Sequence, residues 1–204
     1  MNGWRLVGLL SLLLTAMSLW LLADHAGDVE GIRLVIRATA RTSLVLFVMA
    51  FTASALVELI PSDATRWQRR NRRYLGVSFA VSHFIHLAAI LGLAALDREL
   101  FWKLTNITTI VLAGTAYLFI AAMTATSFDR TAAWLGPRKW RLLHLVGGWY
   151  IWISFAVAVG KRVPVDSFYW PMAVLVLAIA IVRLIAMFQR SRRRTSLGTP
   201  RATA

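Results

Sequence analysis

The 204-residue chain contains no cysteine. This absence excludes disulfide bonds, zinc sites with cysteine ligands and iron–sulfur clusters held by thiolates. The sequence also has no glycine-rich nucleotide loop after a strand, no HExxH zinc motif and no Ser/His/Asp pattern. It therefore offers no motif typical of a soluble enzyme.

Acidic residues are scarce, with nine Asp and Glu against 23 Lys and Arg, and the net charge is +14. Such an excess would suit a nucleic-acid-binding protein. Here, however, the basic residues cluster between long apolar runs, which is typical of membrane topology signals. We therefore exclude nucleic acid as a partner and expect lipid to surround the chain.

The apolar content of 58% is too high for one soluble core of this size. Because an α-helix rises about 1.5 Å per residue, roughly 20 apolar residues cross the hydrocarbon region of a bilayer. The sequence predicts an all-α fold, a polytopic membrane helix bundle with about six transmembrane helices in one domain over residues 1–189. The spans are expected at about 6–23, 42–60, 74–96, 105–127, 142–160 and 167–188, and the basic tail 190–204 is expected to be disordered.

The first apolar run, 6–23, follows Arg5 and has two interpretations. A basic start and an apolar stretch are also features of a cleaved secretory signal. The run is long for a signal, and the small residues Ala23 and Ala26 make a weak cleavage site. We favour a retained membrane helix.

The orientation follows from the charges between the spans. Three segments that lie on one side of a six-span chain are rich in arginine, whereas the segments on the other side are nearly balanced. The positive-inside rule predicts a multi-pass inner-membrane protein with both termini in the cytoplasm. The basic residues of the three segments are Arg66, Arg69, Arg70, Arg72, Arg73; Arg130, Arg138, Lys139, Arg141; and Arg190, Arg192, Arg193, Arg194.

Three histidines lie within the predicted spans, where ionisable side chains are costly and point to function. His83 and His86 share one face of the third span, and His144 begins the fifth. Histidines on facing helices of a bundle can hold haem through their axial nitrogens. The alternative is that each is a neutral side chain hydrogen-bonded to a neighbouring helix.

Two stretches resemble the ferric reductase-like transmembrane domain family, and most closely the haem-binding membrane subunits of periplasmic methionine sulfoxide reductase systems. The first is the Arg72–Gly76 stretch followed by His86, similar to the opening of the family's third helix. The second stretch has the family's spacing across helices four and five, and the similarity covers residues 30–160. This second stretch comprises Thr126, Ser127, Leu135, Gly136, Trp140 and His144.

The resemblance implies a b-type haem protein that moves electrons across the membrane. It implies haem b as the cofactor, with FMN as an optional second one, and makes His86 and His144 metal ligands from the third and fifth helices. It places Arg72 beside the inner site. A cytoplasmic flavin reductase or free reduced flavin would donate electrons, and a periplasmic redox partner would accept them.

One position departs from the family pattern. The family has a second histidine thirteen residues after the first on the fifth helix, where this chain has Val157. His86 therefore lacks its expected partner, and His83 is the additional candidate ligand. At 1.5 Å per residue, His83 lies ~13 Å from the inner end of its predicted span, whereas His144 lies close to the inner end of its own, so a pair across two helices would need a tilted haem.

Two functions stay open on the sequence. The first is a haem-bearing electron-transfer subunit of the inner membrane. The second is a haemless relative that acts as a membrane binding or assembly subunit or as a small transporter. The loss of the histidine at Val157 motivates the second.

The predicted orientation can be tested with topology reporters. A reporter fused after Ala204 should be active in the cytoplasm, and one inserted between Asp97 and Glu99 should be active in the periplasm. Paired alkaline phosphatase and fluorescent protein fusions measure both. A C-terminus that reads as periplasmic would reverse the assignment of every loop.

Overall fold

The computed structural model describes residues 2–197, and within them all the regular elements are helices and there is no strand. Six helices are long and apolar enough to cross a membrane, which confirms the predicted all-α polytopic bundle. The helices are α1 (Trp4–Asp24), α2 (Val29–Leu59), α3 (Asp63–Leu96), α4 (Arg98–Leu104), α5 (Ile107–Ala125), α6 (Asp129–Leu135), α7 (Pro137–Gly160) and α8 (Trp170–Leu197), with a 3₁₀ turn at Ser167–Tyr169.

The second and third helices begin earlier than the sequence predicted. The sequence predicts a loop at 61–73, but α3 already begins at Asp63. A capping box explains the difference, because the backbone N–H of Thr65 donates to Ser62 Oγ at 3.2 Å and that of Ser62 donates to Thr65 Oγ1 at 2.9 Å. The arginines that follow are good helix formers although they are not apolar.

The last helix also runs beyond its predicted end. The tail from residue 190 was expected to be disordered, but α8 continues to Leu197. Arg190 pairs with the carboxylate of Glu58 on α2, and no glycine or proline interrupts the chain before Gly198. The remaining tail, 198–204, lies outside the described residues.

Helix α2 is the centre of the bundle. It packs most extensively on α3 and also contacts α1 and α8, whereas α5 and α7 pair beside it. Aromatic side chains fill the space between these helices. The ring centroid of Phe47 lies 4.9 Å from that of Phe51 and 5.5 Å from that of Phe79, and all three side chains are buried.

A seam of hydroxyl groups joins α2 to α3. Ser43 Oγ donates to Ser82 Oγ at 2.9 Å, and the hydroxyls of Thr42 and Ser82 are 3.0 Å apart. Ser43 and Ser82 are fully buried. Hydrogen bonds of this kind link membrane helices, and the small side chains let the two backbones come close.

One end of the bundle collects the arginine-rich segments, and we call it the basic end. Trp4 stacks on Phe128 at 5.3 Å between centroids and meets Tyr74 edge-on at 5.4 Å. Arg73 Nη1 donates to Asp129 Oδ1 at 2.7 Å. These contacts bring together the N-terminus, the first part of α3 and the α5–α6 connection, and the Arg190–Glu58 pair adds α8.

At the opposite end, cations and carboxylates balance one another. Glu30 accepts from Arg33 at 2.8 Å and also pairs with Arg37. Arg162 donates to the hydroxyl of Tyr169 at 2.7 Å. The arginines of α2 here have partners within the chain, so they do not form a free anion-binding stripe.

Gly147 allows α7 to pack closely on α5. A Cβ atom built on Gly147 would lie 2.6 Å from Met123 Sδ and 3.1 Å from the ring of Phe119. Both distances are shorter than a normal van der Waals contact. The glycine is therefore required by the close approach of the two helices.

We expect Gly147→Val to lower the stability of the bundle by about 1–3 kcal/mol, because the added side chain overpacks the α5–α7 interface. Gly114→Val is the matched control, since a Cβ at Gly114 has nothing within 4 Å. The midpoint of thermal unfolding in detergent measures the stability of both variants. Equal effects of the two substitutions would show that the interface is not tightly packed.

Candidate cofactor cavity at the basic end

A cavity of about 380 Å³ opens between α2, α3, α5, α7 and α8 at the basic end. Its volume falls within the range of small-molecule sites, about 300–1,000 Å³. The walls are apolar and the rim is cationic. The apolar walls include Phe47, Phe51, Phe79, Ile120, Met123 and Ile151, and the rim carries Arg69, Arg70, Arg72, Arg73 and Arg183 with one carboxylate, Asp129.

Two glycines on facing helices keep this space open. Gly76 on α3 and Gly148 on α7 both line the cavity. A Cβ on Gly76 would meet nothing within 4 Å, and one on Gly148 would only reach the ring of Phe51 at 3.6 Å. The cavity wall is thus recessed at Gly76, where a larger side chain would project into the open space.

His144 is the histidine that lines this cavity. Its ring stacks on Trp140, one turn earlier on α7, with 4.2 Å between centroids. Trp140 Nε1 donates to the backbone oxygen of Thr126 at 3.0 Å, and His144 Nε2 lies 3.4 Å from Thr126 Oγ1. These contacts to the end of α5 hold the imidazole in one orientation.

Helix α7 starts at a position that places His144 in its second turn. Gly136 has φ +79°, a left-handed conformation that side chains disfavour, and Pro137 then occupies the first helical position. The Leu135–Gly136–Pro137 stretch therefore ends α6 and begins α7 with a sharp change of direction.

Arg72 and Arg183 are the half-buried cations of the rim. Arg72 Nη1 donates to Ser54 Oγ at 3.1 Å, and Arg183 Nη1 donates to the backbone oxygen of Phe51 at 3.2 Å. The guanidinium of Arg183 also lies 4.0 Å from the ring centroid of Phe51. Within residues 2–197, neither arginine has a carboxylate within salt-bridge distance.

Arg73 has a spare hydrogen-bond donor at the same rim. Its Nη1 pairs with Asp129, but its Nε is buried and has no hydrogen-bond partner among the described atoms. A buried donor without a partner is uncommon and calls for an explanation.

His83 lies outside the residues that line this cavity. Its ring packs against Phe79, Tyr117 and His86, with centroids 5.2, 4.9 and 5.3 Å away. The described atoms provide no hydrogen-bond partner for its buried Nδ1. The structure shows no contact between His83 and His144, so their pairing on one haem stays a prediction without structural support.

His86 also lies away from the cavity, and it is bound to α2. Its Nδ1 is 3.0 Å from the backbone oxygen of Ile36 and 3.1 Å from Thr39 Oγ1. This is the hydrogen-bonded arrangement named above as the alternative to a metal ligand. Val157, at the position where the family has a histidine, is exposed on the outside of the bundle.

No family model matches the chain, and neither the curated proteins nor the solved structures include a significant match. The likeness to the ferric reductase-like family therefore depends on the motif residues alone.

The residues that line the cavity include the kinds of group that a b-type haem would need, with one histidine among them. His144 offers an imidazole nitrogen, the aromatic walls suit a flat apolar ring, and the rim arginines suit carboxylate groups. His144 is the one histidine among the residues that line the cavity. Among the described residues, no group of three or more His, Asp or Glu could hold a bare metal ion.

The cavity contains His144 and Arg72, which the sequence analysis names as candidate site residues, and Arg183, which it does not name. Arg183 lies near the end of the sixth predicted span. An arginine inside an otherwise apolar run was the available signal, because such a charge is costly unless it faces the interior of the bundle. Gly76 and Trp140 were seen only as parts of family motifs.

Proposed function

We propose that the protein is a membrane electron-transfer subunit of the ferric reductase-like type that holds one b-type haem in the cavity at the basic end. The carrying observation is that His144 lines an aromatic cavity whose rim is cationic. When bound, haem b supplies one-electron redox chemistry. Its chemical character, an apolar disc with anionic carboxylates, matches both parts of the cavity.

Each cavity residue has a role that follows from its contacts. His144, held by the Trp140 stack, would hold the haem iron through an imidazole nitrogen. Arg72, Arg73 and Arg183 on the rim would attract the haem carboxylates. The apolar walls exclude water from the ring.

The basic end faces the cytoplasm in this proposal, as the positive-inside rule requires. A flavin reductase or free reduced flavin would approach there, where Arg69 and Arg70 are exposed and can attract flavin phosphate. The rings of Phe79, His83 and His86 follow one another away from the cavity at 5.2 and 5.3 Å. In this proposal they form an aromatic series that leads from the cavity toward the opposite face and a periplasmic acceptor.

A haemless binding or assembly subunit is the second candidate. The observation that favours it is the single histidine in the cavity, together with Val157 on the lipid-facing side. The same cavity would then hold another amphipathic anion. Absence of haem from protein purified from haem-replete cells would favour this candidate over electron transfer.

Substituting the histidines one at a time distinguishes the proposed haem ligand from the other histidines. Protein from haem-replete cells should show b-type bands in a reduced-minus-oxidised spectrum, with about one haem per chain. His144→Ala should lose the bands because it removes the only imidazole of the cavity. His83→Ala, the matched control, should keep haem content and spectrum. Loss of haem in His83→Ala with retention in His144→Ala would contradict this site.

Filling the recess at Gly76 tests the cavity without removing a ligand. Gly76→Leu should abolish haem binding while the thermal midpoint stays equal or rises, because leucine favours a helix over glycine by up to about 1 kcal/mol. Gly114→Leu, at a site open on the outside of α5, should bind haem normally. Full haem content in folded Gly76→Leu protein would place haem elsewhere.

A further inference from the structure

A second, smaller cavity lies beside the first, between α2, α3 and α8. It has about 80 Å³ and is lined by Ser54, Arg72, Arg183, Met187 and Arg190, among others. A water molecule needs about 10–15 Å³ of such space, so the cavity accommodates a group of a few oxygen atoms but not a large ligand.

Three guanidinium groups converge on Ser54 beside this cavity. Arg72 and Arg69 donate to Ser54 Oγ at 3.1 and 3.3 Å, and Arg190 donates to the backbone oxygen of Ser54 at 3.0 Å. Arg183 approaches one turn earlier on α2, at the backbone oxygen of Phe51. The cations thus come from α3 and α8 and meet at one point.

The positive charge at this point exceeds the negative charge. Glu58 pairs with Arg190, and the side chain of Glu58 is 17% exposed. Among the described residues, no carboxylate pairs with Arg72 or Arg183. Cations that are held together and partly withdrawn from water repel one another, so a bound anion would stabilise the arrangement.

We propose that this second cavity binds the phosphate of an anionic lipid headgroup. A phosphate offers several acceptor oxygens, which suits guanidinium forks. Ser54 lies five residues before the end of α2, which corresponds to a depth of about 8 Å and thus to the headgroup region. Beside the cavity, Met187 and Phe188 are 42% and 63% exposed on the surface of α8, where an acyl chain could lie.

The lipid site shares Arg72 and Arg183 with the first cavity, but its test does not require haem. Lipid binding can be measured on protein without cofactor. Failure of the lipid experiment would therefore leave the haem proposal standing, and failure of haem binding would not affect the lipid site.

Native mass spectrometry of the full-length protein tests the proposal. With phosphatidylglycerol added to the detergent, we expect one lipid to be retained per chain, and phosphatidylcholine at the same concentration to be retained far less. Arg190→Gln should weaken phosphatidylglycerol retention about fivefold, since one basic residue at the membrane surface contributes about 1 kcal/mol. Arg192→Gln removes the same charge two residues away and should leave retention unchanged.

A second variant keeps the test decisive if Arg190→Gln does not fold. Glu58→Gln removes the competing carboxylate and should strengthen retention. Equal weakening by Arg190→Gln and Arg192→Gln would show only a general surface charge and overturn the site. Binding of inorganic phosphate that displaces phosphatidylglycerol at equal concentration would identify free phosphate as the occupant and overturn the lipid assignment.

Discussion

The cost of placing a guanidinium group in hydrocarbon constrains this bundle more than any other single interaction. The chain meets that constraint at the basic end, where arginine side chains turn toward the interior of the bundle. Carbonyls, hydroxyls and aromatic rings surround them there. Arg183 is the clearest case, because it donates to a backbone oxygen of α2 and lies over the ring of Phe51. The consequence is a cationic rim around an apolar cavity, a combination that attracts amphipathic anions.

The central position of α2 connects this rim to the rest of the fold. The half of α2 away from the basic end is joined to α3 by buried hydroxyls and by the hydrogen bonds of His86, and the half at the basic end receives the arginines of α3 and α8. The histidines of α3 consequently belong to the helix-packing seam and the aromatic core, whereas His144 on α7 belongs to the cavity. This division is the basis of the two proposals, haem at His144 and a lipid phosphate beside the cavity.

Hydrophobicity alone predicted the number of membrane helices, because the bilayer demands a minimum apolar length. Hydrophobicity did not predict where α2 and α3 begin or where α8 ends. There the residues are polar, and caps at Asp28 and Ser62 and arginines of good helix propensity extend the helices. Motif likeness pointed to His144 and Arg72, but the contact of Arg183 with Phe51 joins residues 132 apart in sequence, and no local pattern reveals such a contact.

The spin state of the iron in the haem-loaded wild-type protein tests the central claim most directly. With His144 as the one protein ligand, electron paramagnetic resonance of the ferric protein should show a high-spin signal, because a single imidazole leaves the iron without a second strong axial ligand. A low-spin spectrum of the bis-imidazole type, as distinct from one given by His144 with the thioether of Met123 in the same cavity, would require a second histidine, such as His83 or His86, at the same iron. That result would contradict the assignment of haem to the cavity that His144 lines.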